Sequence, residues 1–357
     1  MSTSIRRTPV TPLLGLAAAA ALALTACVPG EGSTGDSSDS AASSDTSDTG
    51  SDSAAAGTEW SDDTLALDWA TYNPLSLVIK EEGLLQEIVG DGVEITWVQS
   101  AGSNKANEAL RAGAIDVGST AGSAALLARA NGTPIHTVAV YSQPEWSALV
   151  VPADSDITSV ADLAGRSVAA TIGTDPYFFL LQALDEAGVS ADDITLQNLQ
   201  HADGRIALEN GSVDAWAGLD PIMAASQEGT GTELIYRNID FNTYGFLNAT
   251  EAFLAESPDL AQAVVDAYAQ AQQWAAENPE EVITLLAEAA QIDPAIAERV
   301  IADRTNLAVD LAPGAEQQAV LEVVAPILVS NGDVASQESV DEALATLFDP
   351  TFAEAAQ

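Results

Sequence analysis

Three short runs of small residues stand where a chain can hold an anion without relying on a cationic side chain: Gly102-Ser103, Thr120-Ala121-Gly122 and Gly173-Thr174. Each precedes an expected helix, whose first turn offers unpaired backbone N–H groups and the positive end of its dipole, and Ser and Thr hydroxyls add donors. One helix end contributes about 0.3–2 kcal/mol, whereas micromolar binding requires about 8 kcal/mol. Donors from several turns must therefore converge and exclude water, using charge-assisted hydrogen bonds roughly twice as strong as neutral ones. Lys105 and Arg111 lie beyond the start of their helix, and Arg166 and Arg205 fall before a strand and within a helix. No arginine fork is expected at the heart of the site.

Tyr72, followed by Asn73, and Trp216 fall at the ends of expected strands, where they can pack against the organic part of a ligand; Tyr141, Trp146 and Tyr177 are similarly placed, with core packing as the alternative. Asp175 and Asp220 each precede a proline, the pattern of a capping Asp followed by Pro at the first helical position. Asp220 also stands as a candidate contact to a ligand ammonium. The enzymatic signals are poor. His136 and His201 lie in unrelated segments and read as surface or packing residues; there is no H-E-x-x-H, no cysteine pair and no Walker A lysine. Gly118 to Gly122 approaches a nucleophile elbow but has Thr where Ser is required. No catalytic residue, metal or cofactor is expected.

The elements that must position these residues alternate. Leu65 to Trp69, Val93 to Gln99, Ala114 to Gly118 and Ile135 to Tyr141 read as strands, separated by helices near Leu75 to Val89, Asn104 to Ala112 and Ser123 to Ala130. A second series begins with Ser167 to Ile172 and ends with strands Glu233 to Tyr236 and Tyr244 to Ala249, after which the chain reads as helical to Phe348. Such a βαβ series predicts an α/β fold with largely parallel sheets. Both series contain the pattern A-L-x-x-G-[AS]-[IV]-D, as Ala109 to Asp116 and as Ala207 to Asp214, each a helix ending on glycine and entering a strand. In open α/β sheets ligands bind outside the carboxyl ends of strands. Two matching lobes therefore imply a cleft with a small ligand between them.

Lys105 to Asp116, Gly118-Ser119-Thr120, Ser159 to Gly165, and Gly211 to Trp216 with Asp220-Pro221 together resemble the substrate-binding proteins of ABC importers for aliphatic sulfonates, taurine and related sulfur compounds. The resemblance implies a two-lobed periplasmic-binding-protein type II fold with a helical C-terminal region. Lobe 1 is formed by residues 61–149 plus 243–357 and lobe 2 by residues 150–242. It implies a monomer that captures a sulfonate, taurine or a sulfate ester and delivers it to a permease and its ATPase. Nitrate, riboflavin or a thiamine precursor on the same fold is the alternative, and after it an enzyme of that fold. Ser159 to Asp162 also reads as a capping box on its own.

At the N-terminus, Arg6-Arg7 precedes an apolar run from Leu13 to Ala23, too short for the about 20 residues of a membrane span. Leu24-Thr25-Ala26-Cys27 then resembles the lipobox of bacterial lipoproteins, with residues 1–26 as signal peptide and Cys27, the only cysteine, as the lipidated residue. Export by the Sec or the twin-arginine route stays open. Residues 27–60 read as a disordered acidic Ser/Gly/Asp linker, with a reach of roughly 30 Å. Within it Gly30 to Gly35 matches G-x-G-x-x-G, but no strand precedes and no helix follows. A formal charge of −42 repels nucleic acid. The expected location is the extracytoplasmic face of the cell membrane. Two acyl chains suffice for stable anchoring where one does not. Cys27→Ala should therefore release the protein or leave it unprocessed; membrane fractions retaining as much mutant as wild type would refute the anchor.

Overall fold

The computed structural model describes residues 59–356; Cys27, the signal stretch and nearly all of the linker lie outside the described residues. The linker's last residue, Trp60, is already docked, its indole N–H donating to the Val89 carbonyl at 2.8 Å. Eleven strands follow: β1 (Thr64–Trp69), β2 (Glu94–Gln99), β3 (Val117–Ala121), β4 (Ile135–Pro144), β5 (Ser147–Val151), β6 (Ser167–Ala170), β7 (Thr195–Asn198), β8 (Ala215–Leu219), β9 (Glu233–Tyr236), β10 (Gly245–Thr250) and β11 (Thr305–Asn306). They form two sheets, ordered β11-β4-β10-β3-β1-β2 and β7-β6-β8-β5-β9.

Each sheet has a parallel centre built by helical crossovers, β3-β1-β2 in one and β8-β6-β7 in the other. Each also takes one antiparallel strand from a chain crossover. β10 lies between β3 and β4, and β5 lies between β8 and β9, antiparallel to both neighbours in each case. The sheets are thus mixed rather than largely parallel. β5 has no counterpart among the expected strands, because only Glu145-Trp146 separates it from β4 and no turn signal marks the break. It already belongs to the second sheet, so the chain leaves the first sheet a few residues before the expected boundary at 149/150. The expected helix Leu75 to Val89 is split at Gly83, whose φ of 72° is left-handed.

The repeated pattern does the same structural work twice. After the helices Ser103–Arg111 and His201–Glu209, Gly113 and Gly211 turn left-handed at φ 63° and 74°. Ala114 N–H closes on Ala109 O at 2.9 Å and Ser212 N–H on Ala207 O at 2.8 Å. Asp116 then accepts from Ala66 N–H of β1 at 2.9 Å, and Asp214 accepts from Ser167 N–H of β6 at 2.8 Å. This clamp occupies residues 114–116, which is why β3 starts at Val117 rather than at Ala114. Ser159 and Asp162 form the expected capping box.

Asp175 departs from its expected role. Thr174, not Asp175, is the N-cap of helix Asp175–Glu186, and the Asp175 carboxylate turns away from its own helix. It accepts from Ser123 Oγ at 2.6 Å, Trp146 Nε1 at 2.7 Å, Thr243 N–H at 2.8 Å and Thr243 Oγ1 at 2.6 Å. Trp146 and Thr243 lie on the two segments that join the sheets, and Ser123 is in the first turn of the helix after β3, Gly122–Ala130. Burial pushes the carboxyl pKa up, and these four donors hold it back. Removing the carboxylate leaves these neutral donors buried without an acceptor, at about 1–3 kcal/mol for each left unsatisfied. Asp175→Ala should lose stability on that scale in denaturant unfolding, and Asp175→Asn, which keeps shape and one acceptor, should lose less.

Candidate functional site

A cavity of about 270 Å³ opens where strand ends of both sheets meet. One wall comes from the first sheet: Thr71-Tyr72 after β1 and Gln99 to Ala101 at the end of β2. The other comes from the second sheet: Gln200 to Ala202 and Arg205 after β7, and Leu219 to Ile222 with Ala225 after β8. Ala289, Ala290 and Ile292 complete an apolar side. The placement follows the strand-end rule, but the turns that line it are not mainly the expected ones.

Of the expected site residues, Tyr72 and Asp220 line this cavity. Tyr72 donates from its hydroxyl to the Ser119 carbonyl at 3.0 Å and meets the Trp146 ring edge-on at a centroid distance of 6.1 Å. Asn73 is fully buried and occupied structurally: Oδ1 accepts from Ser76 N–H, capping helix Pro74–Glu82, and Nδ2 donates to Tyr268. Asp220 is not the N-cap expected of it: Pro221 takes that place before helix Ile222–Thr230, and Asp220, one residue earlier, accepts from Ala224 N–H at 2.9 Å while Nη1 of Arg304 donates to both its oxygens at 2.9 and 3.2 Å. Burial pushes Asp220 up in pKa, and the guanidinium pulls it back. Arg304 also donates to Gln227 at 2.8 Å. Its contact with Asp220 places a buried guanidinium behind the cavity wall, which the sequence argument did not foresee, directed at a carboxylate rather than presented as a fork to a ligand.

The Thr120-Ala121-Gly122 turn is closed to a ligand. Thr120 Oγ1 donates to Ala121 O and accepts from Asn248, Ala121 N–H donates to Ser103 Oγ at 2.9 Å, and Gly122 N–H donates to the Tyr244 carbonyl at 2.9 Å. Ser123 N–H meets Thr243 Oγ1, and a Cβ on Gly122 would stand 3.0 Å from the Phe246 ring. Asn248 of β10, the Thr243-Tyr244 segment that leads into it and Ser103 together occupy the groups of this turn. Ser103 is drawn into the same network, so its hydroxyl acts as an internal acceptor. Thr174 Oγ1 donates to Thr171 O, and Gly173 packs against Leu127 and Asn104. Trp216 is fully buried in the core of the second sheet, where its indole would meet any Cβ on Gly204 at 2.8 Å; it is a packing residue. Gly102 abuts His201 of the facing wall, and a Cβ there would stand 3.0 Å from Nε2.

What the cavity does present is the start of helix His201–Glu209, whose N-cap Gln200 makes no side-chain cap bond. Arg205, one turn in, lines the wall while its Nε donates to Glu209 at 2.6 Å. An open helix start and a nearby guanidinium form an anion-holding pair. The sequence reading set Arg205 aside as lying within a helix and passed over the helix start, although the strand-end rule applied to β7 points to this turn as surely as to the others. Among the described residues no cluster of His, Cys, Asp and Glu could hold a metal ion.

The profile of the NMT1/THI5-like family matches residues 82–282, more than half of the chain. The chain belongs to this family. A protein of Escherichia coli (strain K12) named as an aliphatic sulfonates-binding protein is 31% identical over 235 residues, covering 65% of this chain and 73% of that one. The alkanesulfonate-binding protein SsuA from Xanthomonas axonopodis pv. citri, solved bound to MOPS, superposes with a TM-score of 0.72 at 26% identity, covering 79% of this chain and 98% of that one. The desulfurization enzyme DSZB shares the fold at a TM-score of 0.61 and 18% identity, over 83% of this chain and 99% of that one. Within this family member, then, the fold alone does not separate binding from catalysis.

Beside the cavity, Asp68 of β1 is fully buried, accepting from Ser119 N–H at 2.8 Å and from the Ser119 hydroxyl. Burial raises its pKa to about 7 against the pull of Ser100 and Ser119. The folded state therefore holds a proton that the unfolded chain, titrating near 3.8, has already released, and this group's contribution to stability declines as pH rises from about 4 to about 7. Asp68→Asn removes that decline. The difference in melting temperature, mutant minus wild type, should rise between pH 5 and pH 8; a constant difference would show that Asp68 is ionised throughout.

Proposed function

We propose that the chain is the extracytoplasmic solute-binding component of an ABC importer, held to the membrane through Cys27. It takes up a small organosulfur anion, an aliphatic sulfonate, taurine or a sulfate ester, between its lobes and delivers it to a permease and its ATPase. The observation that carries the reading is the cavity of about 270 Å³ between the ends of two sheets. An open helix start with Arg205 suits a compact anionic head, and Tyr72, Leu219, Ile222 and the Ala289 to Ile292 side suit a short organic chain. Asp220 does not oppose an anion there, because Arg304 offsets its charge. The names of the relatives point to the same ligand class.

A thermal-shift and calorimetric screen of the soluble body tests the reading. Ethanesulfonate, taurine or an alkyl sulfate should bind, and nitrate, riboflavin and thiamine precursors should not. Arg205→Ala should weaken the bound sulfonate by about 1.5–3 kcal/mol, the range for a hydrogen bond to a charged group. Stabilisation by nitrate or riboflavin instead would assign the site to another ligand.

A further inference from the structure

The cavity wall holds an unmatched acceptor. His201 is 1% exposed and lines the cavity, and its Nε2 has no hydrogen-bond partner. The neighbour of its other nitrogen decides the tautomer. Thr171 Oγ1 has one proton, which it donates to the Leu199 carbonyl at 2.7 Å, so towards His201 Nδ1, 3.2 Å away, it accepts. Nδ1 carries the imidazole proton, and Nε2 presents a lone pair. Burial lowers the pKa of the ring to about 3, which keeps that lone pair free at ordinary pH. Nε2 is buried against the wall from the first sheet: a Cβ on Gly102 would stand 3.0 Å from Nε2 and 2.9 Å from Asn104 Oδ1, so only glycine fits between the two. Asn104 Oδ1 and, beside His201, Gln200 Oε1 are likewise buried acceptors without partners. Buried acceptors left unmatched are costly, so walls that meet over them call for a donor from whatever lies between.

We propose that His201 selects the ligand class: sulfonates bearing an N–H or O–H donor a few atoms from the sulfonate, that is amino- or hydroxyalkanesulfonates, over plain alkanesulfonates. The proposal rests on the sulfonate reading above and deepens it. His201 and Arg205 stand four residues apart on one helix, with Cβ atoms about 5–6 Å apart on the same face. A ligand whose anionic head meets Arg205 and the helix start therefore brings a donor on a two-carbon bridge towards Nε2. An analogue lacking that donor leaves the acceptor unpaired, the arrangement by which a polar site discriminates most strongly.

Calorimetry of the soluble body with ethanesulfonate, 2-aminoethanesulfonate and 2-hydroxyethanesulfonate provides the test. The amino or hydroxy compound should bind about tenfold or more tighter than ethanesulfonate. His201→Phe should reduce that ratio to near one, while His201→Gln, which places an acceptor near the position of Nε2, should keep most of it; melting curves establish that both variants fold. Equal binding of all three compounds to wild type, or an unchanged ratio in His201→Phe, overturns this inference and leaves the sulfonate reading standing. Binding of none of them overturns the sulfonate reading and this inference with it.

Discussion

The two-sheet arrangement depends on one buried carboxylate. Asp175 begins a helix of the second sheet, yet it is bonded to Ser123 at the helix after β3 and to Trp146 and Thr243 on the two connecting segments. A carboxylate cannot be taken out of water without donors to replace the lost hydration. It therefore holds four groups from three separate stretches of chain at one point. Those stretches are the ones that set how the sheets meet, so the shape of the cavity follows from the satisfaction of this charge.

A second buried charge acts on the cavity itself. Asp220 lies on its wall, and Arg304, from helix Pro294–Arg304, neutralises it at 2.9 Å. Without that partner an acidic wall in an acidic chain would exclude the anions that the helix start at His201 and Arg205 is suited to hold. The anion end of the proposed site and the neutralised acid are thus parts of one electrostatic arrangement. The same wall also carries unmatched acceptors, so the cavity offers more than the converging donors expected from the three turns.

The duplicated pattern shows which kinds of inference succeeded. Ala109 to Asp116 and Ala207 to Asp214 are local: helix end, left-handed glycine and clamp fall within eight residues with a strand next, and their hydrogen bonds repeat in both sheets. Thr120 to Gly122 shows where such inference stopped. By local chemistry this is a good anion turn, but the N–H groups of Ala121 and Gly122 donate to Ser103 and Tyr244, and Thr120 Oγ1 accepts from Asn248, partners that only tertiary folding brings there. Trp216 likewise reads as a strand-end aromatic and is a core residue packed on Gly204.

By itself the sequence determined the alternation of strands and helices, the two related series and the family resemblance, and it pointed to strand ends as the expected place of the site. These rest on periodicity, capping and turn chemistry, which act over a few residues. Tertiary structure alone decided which strand ends remain open: β10 closes the end of β3, while the turns after β2, β7 and β8 face the cavity. It alone set Arg304 on Asp220 and turned Asp175 away from its own helix. Antiparallel insertion of a distant strand and pairing of buried charges are long-range constraints, and no spacing within the chain encodes which donors they will consume.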